Sequence, residues 1–190
     1  TAVAGGTRIF EVLDSEPVIV PPASPIPLPL GGGHIRLEEV GFSYAAAAPA
    51  VLSGIDLDIP AGRTVALIGP TGSVKSTLTQ LIPRFYDVTR GRILVDGVDV
   101  RDLALTELRR AVGMVSQDPF LFSTTVRENI AYARPDAGED EVRRAARMAQ
   151  AEGFIDALPD GMETVICERG LTLPGGQRPR PAIVRPLITD

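Results

Sequence analysis

Nine residues in the first half of the chain, Gly-Pro-Thr-Gly-Ser-Val-Lys-Ser-Thr at positions 69–77, constrain the fold more than any other segment. The apolar run that precedes them, residues 64–68, predicts a buried strand, and residues 76–82 have the composition of a helix. A strand, a glycine-rich turn, Lys-Ser and a helix, in this order, are typical of a phosphate-binding loop. The pattern therefore predicts an α/β fold in which this loop joins a strand to a helix.

This loop supplies the groups that bind a polyphosphate. Backbone amides of the turn and of the helix start attract anions. Lys75 reaches the outer phosphates, and the Ser76 hydroxyl is placed to bind Mg²⁺. The predicted phosphate-binding residues are Gly69, Pro70, Thr71, Gly72, Ser73, Val74, Lys75, Ser76 and Thr77. An ordinary turn before a helix is the alternative, which the spacing, the flanking segments and the Lys-Ser pair disfavour.

Val74 departs from the motif, which has glycine before the lysine. Glycine accepts positive φ readily, whereas a β-branched residue in that conformation is strained. Strain of this kind costs about 1–3 kcal/mol. If it acted wholly on nucleotide affinity, binding would weaken by roughly five- to a hundred-fold.

Composition excludes several classes of protein. The 190 residues suffice for one domain with a sizeable core, and a net charge of −5 argues against a nucleic-acid partner. No apolar run reaches the ~20 residues of a membrane-spanning helix. The only cysteine, Cys167, excludes an internal disulfide.

The chain divides into an N-terminal tail and a main domain. Residues 1–30 combine a short amphipathic helix at 7–14 with an extended, proline-rich linker, and residues 31–190 form the domain. Its predicted strands are residues 35–40, 55–59, 64–68 and 112–115, and residues 92–97 are predicted to form a strand and a tight turn. Its further predicted helices are residues 106–111, capped by Thr106, then 125–132 and 139–151. The predicted fold class is α/β with a largely parallel sheet, N-terminal antiparallel strands and a helical subdomain at about 118–175. His34 is expected at the surface, and Asp96 and Asp99 are expected in turns.

Several short motifs occur in an order that identifies a family. Residues 42–44 end in Tyr44, residues 115–118 contain Gln117, and residues 173–177 read Leu-Pro-Gly-Gly-Gln. With residues 69–77 as the Walker A loop, these segments resemble the adenine-stacking loop, the Q-loop and the signature motif of an ATP-binding cassette transporter of the exporter type. Each motif alone also fits an ordinary turn or a solvent-exposed residue; their joint order carries the resemblance.

The resemblance implies a P-loop NTPase fold with ATP and Mg²⁺ as cofactors. It implies that Tyr44 stacks on adenine and that Gln117 and Ser76 meet Mg²⁺. The residues implied to face the ATP of a second cassette are Pro174, Gly175, Gly176 and Gln177.

It also implies how the protein is assembled. The expected partners are a second ATP-binding cassette, as a homo- or heterodimer, and the coupling helices of a transmembrane domain, which residues 164–170 would touch. Residues 1–30 resemble the tail that joins an exporter's membrane domain to its cassette. The expected location is the cytoplasmic face of the cell membrane, through a membrane domain that this chain does not contain.

Departures from the family pattern fall at functional positions. Pro174 stands where the signature has serine and lacks both a hydroxyl and an N–H. Prolines at 179, 181 and 186 predict that the helix over residues 178–187 is kinked, shortened or unformed. No apolar segment ending in Asp-Glu, the Walker B strand of the family, follows Gln177. The expectation is a truncated cassette with no complete catalytic set, in which Gln117 is auxiliary and hydrolysis by this chain alone is negligible.

Two alternatives stay open. One is a non-catalytic cassette remnant that binds nucleotide weakly or serves as an interaction module. The other is a different phosphate-loop enzyme, such as a kinase or GTPase. Residues 175–177 and the lack of an Asn-Lys-x-Asp guanine motif disfavour the second alternative.

Overall fold

The computed structural model describes residues 10, 13–45, 47–70, 72, 74–115, 120–166 and 184. The chain divides into two compact units, Thr1–Arg109 and Arg110–Asp190. Most of the helix predicted at residues 7–14 lies outside the described residues, although Phe10 and Leu13 are helical.

A four-stranded antiparallel sheet dominates the first unit. Its strands are β1 (Ile35–Phe42), β2 (Leu52–Ile59), β3 (Arg90–Val95) and β4 (Val98–Asp99), in the spatial order β2-β1-β3-β4. β1 is central, because Ile35 faces Ile59 of β2 and Val95 of β3. Leu37, Val40 and Ile93 are buried, so one face of the sheet supplies the core of this unit. The strands predicted at 35–40 and 55–59 are confirmed, and so is the strand followed by a tight turn at 92–97, in which β3 ends at Val95.

The β3–β4 turn is built by Asp96 and Gly97, whose φ angles are 48° and 85°. Two successive positive φ angles are typical of a tight hairpin turn, and Asp-Gly is a preferred pair for it. The Asp96 carboxylate also accepts hydrogen bonds from the amides of Gly33 (3.1 Å) and His34 (2.9 Å), which fixes the start of β1. Asp96 therefore lies in a turn as predicted, whereas Asp99 is the last residue of β4 and the turn prediction for it is wrong. Asp99 pairs with Leu94 in the ladder, which extends the hairpin past the turn.

Two predicted strands, residues 64–68 and 112–115, are wrong as local assignments, because both segments lack regular secondary structure. Ile68 is 94% exposed, and Val65 and Val115 are also exposed. A parallel strand needs neighbouring strands to bond its amides and carbonyls and to cover its side chains. No strand in the described part of the chain pairs with either segment, and the sheet that is described corresponds to the predicted N-terminal antiparallel strands.

The proline-rich linker is part of the first unit and contacts its later segments. Ile26 forms a parallel bridge with Leu103. The Leu28 amide donates a hydrogen bond of 2.8 Å to the Glu107 carboxylate. These contacts hold residues 26–28 beside the start of the next helix.

Helix α1 (Lys75–Leu81) precedes β3 in the chain, and helix α2 (Leu105–Ala111) begins one residue before its predicted start. The Leu108 amide donates to the Ala104 carbonyl (3.0 Å), which closes the first turn on Ala104. Thr106 therefore lies within the first turn, and the prediction that it caps the helix is wrong. No described helix has the length and apolar character needed to cross a bilayer.

The second unit is helical and has its own core. It contains α3 (Val126–Ile130), a 3₁₀ turn (Ala131–Ala133), α4 (Glu139–Met148), α5 (Glu152–Asp156) and a second 3₁₀ turn (Gly161–Glu163). The helices predicted at 125–132 and 139–151 are confirmed, with α4 ending at Met148. The most deeply buried large side chains of this core are Leu121, Val126, Ile130, Val142, Ile155 and Ile166.

His34, in the first unit, is partly exposed as expected, with Nε2 2.6 Å from Asp58 Oδ1.

Candidate functional site

The predicted phosphate loop leads directly into helix α1 (Lys75–Leu81). Gly72 has φ 85° and Val74 has φ 57° and ψ 21°, so both residues are left-handed. The helical hydrogen bond from the Leu78 amide to the Val74 carbonyl (3.1 Å) shows that Val74 is the residue on which the helix starts. The loop thus needs a left-handed residue before Lys75, as the motif predicts, and a β-branched side chain occupies that position at a cost of about 1–3 kcal/mol.

Lys75 is the first residue of α1, and its side chain folds back over the loop. Its Nζ donates hydrogen bonds of 2.8 Å to the carbonyls of Gly69 and Pro70. These bonds tie the helix start to the beginning of the loop. They also place the ammonium group at the loop itself, where its charge complements an anion.

The two hydroxyl residues after Lys75 differ in environment. Ser76 is exposed in the first turn of α1, whereas Thr77 is buried. The Thr77 hydroxyl lies 2.7 Å from the hydroxyl of Tyr44. The structure therefore brings together the loop and the aromatic residue that sequence motifs assign to the base, although 33 residues separate them in the chain.

Tyr44 is the most exposed member of a group of three aromatic rings. Its ring lies 4.9 Å from that of Phe42 at 80° and 5.4 Å from that of Tyr86 at 89°. Both contacts are nearly perpendicular, so neither neighbour stacks on Tyr44. Tyr44 remains 54% exposed, which leaves ring surface for another planar group. Sequence motifs did not identify Tyr86; its only signal is the aromatic pair Phe85-Tyr86 directly after the loop helix.

These groups fit a nucleoside triphosphate. Tyr44 offers an aromatic surface for a base, and Lys75 and the loop amides offer positive charge and donors for phosphates. For Mg²⁺, the described chain contributes the Ser76 hydroxyl. Within residues 13–115 and 120–166, as far as the structure describes them, no group of three or more His, Cys, Asp or Glu side chains is placed to hold a metal. Mg²⁺ in such sites takes much of its coordination from the phosphates themselves and from water.

Other predicted site residues lie outside the described residues: Thr71, Ser73, Gln117, Pro174, Gly175, Gly176 and Gln177. Cys167 and most of the predicted broken helix at residues 178–187 also lie outside them. Val184, the described residue of that segment, is helical and fully buried in the core of the second unit.

In the first unit, Asp99, which is not part of the phosphate loop, has a shifted pKa. Burial acts to raise the pKa of Asp99, but hydrogen bonds from the Arg101 side chain and amide, together with the Arg101 charge, outweigh it and lower the pKa. The carboxylate forms a two-bond ion pair with Arg101, at 3.1 Å to Nε and 2.6 Å to Nη2. This pair braces the end of β4 and is not part of the loop.

Comparison with known proteins gives consistent matches. Residues 52–190 match the family model described as ABC transporter. The chain is 46% identical over 187 residues to a multidrug efflux ATP-binding/permease protein of Mycobacterium tuberculosis, covering 98% of this chain and 16% of that protein. It is 44% identical over 188 residues to an ATP-dependent lipid A-core flippase of Chromohalobacter salexigens, covering 99% of this chain and 32% of that protein.

A solved structure, that of a bacterial Atm1-family ABC exporter with ATP bound, resembles the fold with a TM-score of 0.90 at 37% identity. The match covers 99% of this chain and 33% of the exporter chain. The chain therefore spans a third or less of the length of these relatives.

Proposed function

The chain belongs to the ABC transporter family, and we propose that it is the ATP-binding cassette of a membrane exporter. The observation that carries the proposal is the hydrogen bond between the hydroxyls of Tyr44 and Thr77, which joins an exposed aromatic ring to the phosphate loop. A base-binding surface next to a phosphate-binding loop is what ATP requires. The names of the relatives, an efflux protein and a flippase, support transport of a substrate across a membrane.

In this proposal each group of the site has a separate role. Lys75 exchanges the carbonyls of Gly69 and Pro70 for the outer phosphates, and the loop amides bind the remaining phosphate oxygens. Tyr44 presents its ring to adenine. Ser76 and Gln117 hold Mg²⁺, which neutralises phosphate charge when it is bound.

The proposed assembly follows from the relatives, most of whose length lies beyond this chain. Residues 1–30 join a membrane domain to the cassette, which the contacts of Ile26 and Leu28 with the first unit support. Pro174, Gly175, Gly176 and Gln177 face the ATP held by a second cassette, and coupling helices of the membrane domain contact the cassette. The complex lies on the cytoplasmic face of the membrane.

We further propose that residues 1–190 alone hydrolyse ATP negligibly. The support is in the sequence: Pro174 offers neither a hydroxyl nor an N–H at the signature position. Steady phosphate release above that of a Lys75→Ala variant would contradict this part of the proposal.

A second candidate is a module that binds nucleotide weakly or not at all and serves in protein interactions. The left-handed conformation of Val74 favours it, because the branched side chain occupies the position where the motif brings backbone close to phosphate. Titration of ATP identifies a module that does not bind nucleotide, since such a module shows no dependence on Lys75, and a module that binds weakly shows a low affinity that still depends on Lys75.

The chain offers a sharp test because Lys75 is its only lysine. An amine-reactive reagent therefore modifies Lys75 and the terminal amine alone, and mass spectrometry reports each rate. We expect ATP with Mg²⁺ to slow the modification of Lys75. The modification rate of the terminal amine should not change, so this amine serves as the internal control. Equal rates at Lys75 with and without ATP would contradict the proposed function.

Direct titration gives an independent measure. Lys75→Ala should weaken ATP binding by about 10- to 100-fold, the value of a lost hydrogen bond to a charged group. Arg90→Ala is the matched control, because it removes one positive charge from an exposed ion pair with Glu39. Arg90→Ala should leave ATP affinity within about twofold of the unaltered chain.

A further inference from the structure

Tyr86 belongs to the aromatic cluster formed by Phe42, Tyr44 and Tyr86. Its ring lies 5.4 Å from Tyr44 at 89° and 5.5 Å from Phe42 at 52°. Phe42 is buried at the base of the cluster, and Tyr86 is 41% exposed beside Tyr44. Tyr86 thus contacts the proposed adenine-binding residue without being covered itself.

The chain reversal after α1 places Tyr86 in this cluster. The Arg84 amide donates to the Leu81 carbonyl and the Phe85 amide donates to the Gln80 carbonyl, both at 3.1 Å. This pair of bonds is a Schellman motif, which ends a helix on a left-handed residue. Arg84 is that residue, with φ 55°. The motif turns the chain back at the helix end, so Tyr86 follows within two residues.

The Arg84 side chain then locks the reversed segment. It is 5% exposed, and its guanidinium donates to both carboxylate oxygens of Asp87, at 2.6 and 3.1 Å. It also donates to the carbonyls of Arg101 (3.3 Å) and Val20 (3.2 Å). Since Arg84 and Asp87 lie on either side of Tyr86 in the chain, the backbone that carries Tyr86 is fixed at both ends. A fixed supporting residue is what positions a binding group accurately.

We propose that Tyr86 is a positioning residue for nucleotide binding, which holds the Tyr44 ring perpendicular to its own so that Tyr44 meets the base. The inference rests on the proposed function and deepens it. Tyr44 has two restraints: its hydroxyl is bonded to Thr77 of the loop helix, and its ring is packed against Phe42 and Tyr86. Removal of Tyr86 frees the ring on one side while the bond to Thr77 remains. The base should then bind less well, and the phosphates should not.

Two variants and two probes test this role. Tyr86→Leu removes the aromatic ring, and Tyr86→Phe keeps it. We expect Tyr86→Leu to weaken ATP binding by about two- to tenfold, the worth of one perpendicular aromatic contact. We expect it to leave the affinity for inorganic tripolyphosphate, which has no base, within twofold. Tyr86→Phe should retain both affinities. Equal losses for ATP and tripolyphosphate, or no loss for either, would overturn the positioning role.

A double-mutant cycle separates positioning from a general loss of stability. In a Tyr44→Leu background, Tyr86→Leu should cause no further loss of ATP affinity, because there is no ring left to position. A second loss of the same size would overturn the proposal. If Tyr86→Leu melts below the assay temperature, Tyr86→Met replaces it with the same expectation.

The unaltered chain and Lys75→Ala distinguish failure of this inference from failure of the proposed function. If the unaltered chain binds ATP no better than Lys75→Ala, both are overturned. If the unaltered chain binds ATP through Lys75 and Tyr86→Leu binds equally well, the positioning role alone is overturned.

Discussion

The helical core of the second unit and residues 64–68 of the first unit are both apolar, but they bury their side chains to opposite extents. Ile130 in α3 is fully buried, whereas Ile68 is 94% exposed. Residues 65 and 67 line an apolar cavity of about 190 Å³ with Leu37, Leu57 and Leu78. Isoleucine is therefore buried in the helical core but exposed to solvent in residues 64–68.

The difference lies in where each segment finds its hydrogen bonds. A helix bonds its own backbone, and the N-terminal end of α3 is completed locally by a capping box, in which Thr125 and Glu128 bond to each other's amides. Residues 64–68 could form a parallel strand only with neighbouring strands, and in the described part of the chain none pairs with them. Apolar character alone therefore does not decide whether a segment is buried. In these two regions, the buried segment is the one whose backbone hydrogen bonds form locally.

The largest expected effect compares one substitution in both regions. Ile130→Ala should lower the free energy of unfolding by about 2–5 kcal/mol, because it opens a cavity in a closed core. Ile68→Ala removes the same atoms from an exposed site and should change it by no more than about 0.5 kcal/mol. Urea denaturation measures both. Similar losses for the two variants would show that residues 64–68 are covered in solution.

The next effect tests how the helical core satisfies its polar groups. The side chain of the buried Asn129 accepts a bond from the Phe122 amide and donates to the carbonyls of Phe122 and Thr125, at 2.9 to 3.0 Å. Asn129→Ala removes these three hydrogen bonds from a buried site and should cost about 1–3 kcal/mol. A cost below about 0.5 kcal/mol, by the same denaturation method, would mean that water replaces the amide.

A smaller effect is expected at the start of α3. Thr125→Ala removes the hydroxyl that accepts from the Glu128 amide (3.1 Å) and should cost about 1 kcal/mol. Thr125→Ser keeps the hydroxyl and is the matched control. Helix stability in both variants is measured by chemical denaturation, and equal losses for Ala and Ser would assign the effect to packing instead.

The smallest effect depends on pH and lies in the first unit. The pKa of Asp99 is lowered in the folded protein, so its contribution to stability is present above the unfolded pKa of about 3.9 and is lost as pH falls through the lower folded pKa. Asp99→Asn should therefore destabilise the protein by about 1 kcal/mol or less at pH 7. That difference should shrink as the pH is lowered below about 4. Arg101→Gln removes the partner of Asp99, so its effect on the free energy of unfolding should also shrink below about pH 4. An effect of either substitution that stays constant across pH would contradict a stabilising role for this ion pair.

The same contrast explains how much of the molecule could be predicted from sequence. Helices α3 and α4 and strands β1 to β3 have local signals, such as the Thr125 cap, alternating apolar residues and the Asp96-Gly97 turn. The state of residues 64–68 depends on partners elsewhere in the chain, which the local pattern does not encode. The left-handed residue before Lys75 was predicted because a motif specifies its backbone conformation.

The position of Tyr86 could not be predicted in this way. The chain reverses there because Arg84 is left-handed, and the usual sequence signal for such a reversal is glycine. The buried ion pair with Asp87 explains the reversal once it is seen, but nothing in the sequence Pro-Arg-Phe-Tyr-Asp marks it. The aromatic cluster is therefore a property of the fold.

The sequence also left open whether the strain at Val74 acts on binding or on folding. The contacts that hold Val74 at φ 57° belong to the protein: its carbonyl accepts from the Leu78 amide, and Lys75 bonds to the carbonyls of Gly69 and Pro70. We therefore expect the strain at Val74 to act on the free energy of folding rather than on nucleotide affinity.

Val74→Gly tests that claim most directly, with thermal unfolding and ATP titration measured on the same samples. Relief of about 1–3 kcal/mol of strain, less about 0.5–1 kcal/mol for the added freedom of glycine in the unfolded chain, predicts a net gain of roughly 1 kcal/mol in stability. ATP affinity should change by less than about fivefold, since glycine accepts the left-handed conformation that Val74 already has. A gain of tenfold or more in ATP affinity with no gain in stability would show that the strain acts on nucleotide binding instead.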